Sequence, residues 1–146
     1  MPKFGFHFKT PAYDSVEWYG RGPWENYPDR KTGYDIGRWS LPVGEFATEY
    51  LVPQDNSNRS DVRWFCLGGR VKVSSGTPFN FRVWPYEEAC LETCAHPYEI
   101  PGSGTLTVNV DAVIHGVGGN DAWGARTEPQ YTIDANVPRH FSLVLE

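Results

Sequence analysis

Positive charge is in short supply: 13 Lys and Arg stand against 18 Asp and Glu in 146 residues, a net charge of −5. A nucleic-acid partner would want a basic face, so the balance argues against that class. No block of like charge marks an interaction tail. Cysteine is scarce and odd in number, at 66, 90 and 94, so no disulfide framework is implied. Cys90, Cys94 and His96 lack the second ligand pair a zinc site needs, and the thiols read as small hydrophobes or inert groups. No apolar run approaches the roughly 18–20 residues of a membrane span, which leaves no membrane helix. Met1-Pro2-Lys3-Phe4-Gly5 lacks the apolar core of a signal peptide and reads as a chain opening mid-fold, with the compartment open. Long helical periodicity, phosphate-binding glycine loops and Ser-His-Asp arrangements are missing too.

What the chain does have is aromatics, 6 Trp, 8 Tyr and 8 Phe, with 15 Gly and 12 Pro between short apolar runs. Short strands separated by turn residues predict an all-β, antiparallel sandwich, and the length suits one domain over residues 1–146. The clearest strand signal is Thr105–Ile114, where Leu106, Val108 and Val110 alternate with polar residues, the pattern of one buried face. Phe4, Phe6 and Phe8 give a strand with an aromatic inner face that ends at Pro11. Val16–Tyr19, Val62–Leu67, Arg70–Val73, Phe79–Trp84 and His140–Leu145 are further predicted strands, and Gly68-Gly69 a hairpin turn. Trp39 and Leu41 look like anchors for an irregular connection over Lys31–Gly44. Glu45–Val52 fits a helical turn or an extended edge equally. Pro85–Thr93 is the one short helix, with Pro at its first turn. Glu87 and Glu88 would diverge on it, a poor acid/base pair.

Three loops carry the chemistry. Gly20–Arg30 is dense in Gly, Pro, Asn, Asp and aromatics, and predicts a network in which Arg30 pairs Asp29, Glu25 or a more distant carboxylate. Pro53–Asp61 is the most polar run. It is either disordered or suited to hydroxyl recognition, because amides and guanidinium pair donors with acceptors. His115–Gly124, HGVGGNDAWG, follows the best strand with glycines at 116, 118 and 119 and a single indole, Trp123. That indole is either a plug folded onto its own sheet or a platform for the apolar face of a sugar ring.

Taken together, these stretches resemble a known family. Trp18-Tyr19-Gly20-Arg21-Gly22-Pro23 with Glu25-Asn26-Tyr27-Pro28-Asp29-Arg30, Pro53-Gln54-Asp55-Asn56-Ser57-Asn58-Arg59 with Asp61-Val62-Arg63-Trp64, and Gly116–Gly124 stand in the order found in the C-terminal small-chain domain of family 2 glycoside hydrolase β-galactosidases. The resemblance implies a galactose-mutarotase-like β-sandwich, of which this chain is the C-terminal half. It implies a (β/α)8 barrel elsewhere that holds the acid/base and nucleophile glutamates, along with any magnesium and sodium, so the chain itself carries no cofactor and no catalytic residue. The substrate would be a β-galactoside, and the family's loop tryptophan, which stacks on the sugar, is carried onto Trp123. Asn56, Asn58 and Arg59 are secondary candidates for sugar contact. Asp55 stands where the family usually has Glu, Ala122 where it has Ser, and Ser57 where it has Gly, which puts the backbone angle there in question. The chain alone is expected to be inactive, and to self-associate through edges that a truncated sandwich leaves open. The alternatives are a free-standing carbohydrate-binding module and a purely structural domain.

Overall fold

A computed structural model describes residues 1–121 and 123–146; the Ala122 difference lies outside the described residues. Among the described residues seven strands form: β1 (Lys3–Pro11), β2 (Ser15–Gly22), β3 (Asp35–Pro42), β4 (Arg59–Leu67), β5 (Val71–Trp84), β6 (Thr105–Ile114) and β7 (Val144–Leu145). All the ladders are antiparallel and join in one sheet of order β1-β6-β5-β4-β2-β3, with β7 added beside the first half of β5. The chain is all-β and of the sandwich class, as expected.

One face of the sheet is apolar. Val16 and Trp18 of β2, Phe65 and Leu67 of β4, Phe79, Phe81 and Val83 of β5, and Leu106, Val108 and Val110 of β6 form a continuous buried cluster. Phe65 stacks on Phe81 at 4.5 Å, and Phe46 meets Trp18 edge-on at 5.4 Å. These are the offset and T-shaped geometries that aromatic quadrupoles favour. Phe46 belongs to α1 (Val43–Phe46), the helical turn that the sequence left undecided, and it closes the cluster from one end.

The other face departs from expectation. Strand β6 was predicted to be half-buried, yet Thr107, Asn109 and Asp111 are as buried as their apolar neighbours. The reason is a polar lid. Arg82 on β5 binds Asp111 at 2.8 Å and Asp55 of the Pro53–Asp61 loop at 2.6 Å, Thr107 donates to the Tyr86 carbonyl, and Asn109 donates to Glu88. Buried polar groups are tolerated when they are paired in this way.

Several elements differ from their sequence reading. The helix expected over Pro85–Thr93 shrinks to α2 (Cys90–Thr93), because Glu87 and Glu88 turn away to pair with Lys9, Lys3 and His7 on β1. A second helix, α1, accompanies it. β5 runs unbroken across Pro78, because register shifts in its ladder with β4 absorb the missing donor. The connection around Trp39 is the edge strand β3, which pairs β2 through Gly22. The closing strand is reduced to Val144–Leu145, while Phe141 and Leu143 pack against the core outside the ladder. Phe6 is half exposed rather than inward, and with Phe8, Val73, Leu143 and Leu145 it lines an open apolar hollow. The Gly68-Gly69 turn forms as read, with φ of 55° and 65°, and Arg70 N donates to the Leu67 carbonyl at 3.0 Å to close it.

Candidate functional site

The three motif loops come together on one side of the sheet. Asn26 and Asn58 interlock the first two: the Asn26 amide donates to the Asn58 carbonyl at 2.8 Å, Asn58 Nδ2 donates to the Asn26 carbonyl at 2.7 Å, and Ser60 N donates to Asn26 Oδ1 at 2.9 Å. Glu25 is the second tie. It accepts from Ser57 N at 2.7 Å, from Arg30 at 2.7 Å and from the Tyr50 hydroxyl. Of the partners expected for Arg30, Glu25 is the one it takes, with its guanidinium 5.0 Å from the Tyr27 ring centre.

Pro53–Asp61 is ordered, and its centre is buried. Asn56 receives the Trp84 indole N–H at 2.9 Å and donates to Gln54 O and Tyr86 Oη. Arg59 is 1% exposed and donates to the carbonyls of Pro23, Ser57 and Phe46, with its guanidinium 4.1 Å from the Phe46 ring centre. Burial lowers its pKa to about 10, so it stays charged at neutral pH. Ser57 takes φ of 68°, the left-handed angle a glycine would adopt freely, and its Oγ receives the Thr48 amide and donates to Asn56. Asn56, Asn58 and Arg59 are therefore interior residues whose donors point into the chain. Asp61 binds Arg21 at 2.6 Å and Lys31 at 2.8 Å; burial pushes its pKa up, but these two cations outweigh that and hold it below the ordinary aspartate value.

The third loop is built the opposite way. It leaves β6 through His115 and Gly116 and returns at Thr127, whose hydroxyl donates to the Gly116 carbonyl at 2.8 Å. Gly118 and Gly119 take φ of 68° and 81°, which turns the chain outward. At the tip, Asp121 Oδ1 accepts from Trp123 N at 2.8 Å and Ala125 N at 3.1 Å, a side-chain cap that fixes the local backbone. Trp123 is 93% exposed. A hollow of about 390 Å³ lies beside the loop, lined by His115, Val117, Gly124, Ala125, Arg126 and Thr127. A more enclosed cavity, of about 210 Å³, is lined by Tyr50, Pro53, Asn56, Pro85 and Tyr86 among others, and by no residue of this loop.

Sequence reasoning missed two groups here. In sequence Asp29 stands out only as a partner for Arg30, yet it receives the Gly118 amide at 2.7 Å across 89 positions of chain. The Asp55–Arg82–Asp111 triad joins residues with no local motif between them. Among the described residues no group of three or more His, Cys, Asp or Glu is placed to hold a metal ion. The three cysteines are free, and Glu87 and Glu88 are ion-paired with β1.

The family model for the β-galactosidase small chain matches residues 1–145. The chain is 43% identical to a β-galactosidase of Priestia megaterium over 93% of its own length, 37% identical to one of Halalkalibacterium halodurans over 97%, and 34% identical to one of Lactobacillus delbrueckii subsp. bulgaricus over 100%. It spans only 14–15% of the length of those relatives. A match over nearly every residue, in a chain whose interlocked loops are the motif stretches themselves, places this protein in the β-galactosidase small-chain family.

Proposed function

We propose that the chain works as the C-terminal sandwich portion of a β-galactosidase, holding Trp123 against the apolar face of a terminal β-galactoside that another part of the enzyme cleaves. The exposed indole on a capped, narrow-necked loop is the observation that carries this. A retaining cleavage needs two carboxyl groups about 5–5.5 Å apart across the scissile bond. Here Glu87 and Glu88 are bound to lysines, and Asp29, Asp61 and Asp111 are held by the fold, so the cleaving pair is assigned to a barrel outside this chain, with any metals. In this reading Asn56, Asn58 and Arg59 shape the pocket wall by holding the first two loops together. The open apolar hollow at Phe6 and Leu145 meets the rest of the sandwich, or a second copy when that is missing.

The test is Trp123→Ala in the full-length enzyme. Losing a stacked platform of about 1.5–3 kcal/mol raises KM for a β-galactoside roughly 10- to 100-fold. The 146-residue chain alone gives no turnover of a chromogenic galactoside. An unchanged KM in the variant, or turnover that follows the purified chain, would overturn the proposal.

A further inference from the structure

We infer that Asp29 is the positioning residue of the indole loop, a carboxylate wedge that sets where Trp123 is held. The inference rests on the platform role proposed above. Gly118 N donates to Asp29 Oδ2 at 2.7 Å, immediately before the left-handed Gly118-Gly119 pair that throws the loop outward. The carboxylate also fills the space beside Gly116: a Cβ there would sit 2.7 Å from Asp29 Cγ and Oδ2. The neck is closed on its far side by the Thr127 hydroxyl on the Gly116 carbonyl, and a Cβ on Gly118 would approach Ala125 O and Thr127 N at 3.2 Å. Outgoing and returning strands of the loop therefore pinch together over one carboxylate. The path from the neck to the indole contains a second fixed joint, the Asp121 cap, so a tilt at the neck is carried to the tip.

Asp29 is itself held from the core side. It sits in the turn closed by Arg30 N on the Tyr27 carbonyl at 2.9 Å, with the Tyr27 ring buried and Arg30 tied to Glu25. Glu25 in turn holds Ser57 N. The second oxygen of Asp29 is buried and has no partner among the described residues. A carboxylate bound to a backbone amide is stronger than a neutral hydrogen bond. An unpaired buried oxygen beside it is costly.

The experiment is a double-mutant cycle in the full-length enzyme with Asp29→Ala, Asp29→Asn, Trp123→Ala and Asp29→Ala/Trp123→Ala. Asp29→Ala is expected to raise KM about tenfold with a smaller change in kcat, as misplacement of a binding group does. Asp29→Asn keeps an oxygen for the Gly118 amide and recovers most of the loss, which also guards against a folding defect in the alanine variant. In the Trp123→Ala background, Asp29→Ala adds less than a twofold change, because it acts through the indole. Equal effects of Asp29→Ala in both backgrounds would overturn the inference. Hydrogen exchange of the full-length enzyme, read by mass spectrometry on the peptide that contains Gly118, provides a separate readout: its Gly118 amide is slow in the parent and at least tenfold faster in Asp29→Ala. If Trp123→Ala leaves KM unchanged, the platform role fails, and the exchange measurement still decides the wedge: unchanged Gly118 protection refutes it.

Discussion

Replacing Ser57 with alanine and with glycine should reverse the ordinary order of the two residues. Ser57 is fully buried at φ of 68°, where a side chain meets the following carbonyl. That conformation costs an L-residue roughly 1–2 kcal/mol, and glycine does not pay it. Glycine loses about 0.5–1 kcal/mol through its freer unfolded chain. Both variants lose the Oγ that receives the Thr48 amide at 2.9 Å, so both fall below the parent by about 1–3 kcal/mol. The difference between them isolates the backbone angle, and glycine should come out ahead by about 1 kcal/mol. With a urea m-value of about 1–3 kcal/mol/M, that is a midpoint separation near 0.5 M. Equilibrium urea unfolding of the two variants, read by far-UV circular dichroism, measures it. Alanine equal to or above glycine would refute the assignment of strain to this position, and with it the view that a glycine-type loop has been kept here by a serine.

Two further outcomes follow from the ionic groups. Arg82→Leu removes a guanidinium that is 0% exposed and leaves Asp111 buried without its counter-ion, so it should destabilise the chain by about 3–5 kcal/mol, with part of the loss recovered by adding Asp111→Asn; urea midpoints check both. Asp61 is depressed by Lys31 and Arg21, so its contribution is complete above the ordinary aspartate value of 3.8 and fades as pH falls through the lower folded value. Stability of the parent should therefore drop on acidification below about pH 4, and Asp61→Asn, which suits the positive φ at this position, should flatten that slope while lowering stability at pH 7.

The strands whose patterning is local were legible: β1, β4 and β6, with the Gly68-Gly69 turn between β4 and β5. What misled was glycine inside strands. Gly20 and Gly22 read as loop, yet both lie in β2, because a Cβ at Gly20 would meet Val62 at 2.6 Å and one at Gly22 would meet Trp39 at 2.7 Å. Glycine there answers a close approach from another strand, which no local window contains. The polar side of β6 misled in the same way. Asp111 and Asn109 look solvent-facing until Arg82 and Glu88, 29 and 21 positions away, are folded over them. The Gly119-Asn120-Asp121 turn before Trp123 was legible as a fixed turn because its hydrogen bonds are local, whereas its anchor, Asp29, was not, because its partner is 89 residues away.

That contrast bears on how the motif residues would share the work of the proposed sugar site. Asn58 has its amide on Asn26 O, Arg59 has three carbonyls, and Asn56 holds the Trp84 indole and Tyr86. For Asn56 or Arg59 to turn toward a hydroxyl, it must release a buried partner, at a cost of about 1–3 kcal/mol, comparable to what the new bond would return, and Asn58, though its Oδ1 is unpartnered among the described residues, is fully buried. The indole faces no such exchange. Its ring is in water, its backbone is already fixed by Asp121, and covering it gains apolar burial outright. Preorganisation of this kind divides the motifs by physical role: the Asn and Arg residues hold the first two loops together, and under the proposed function the exposed ring is the group left free to bind.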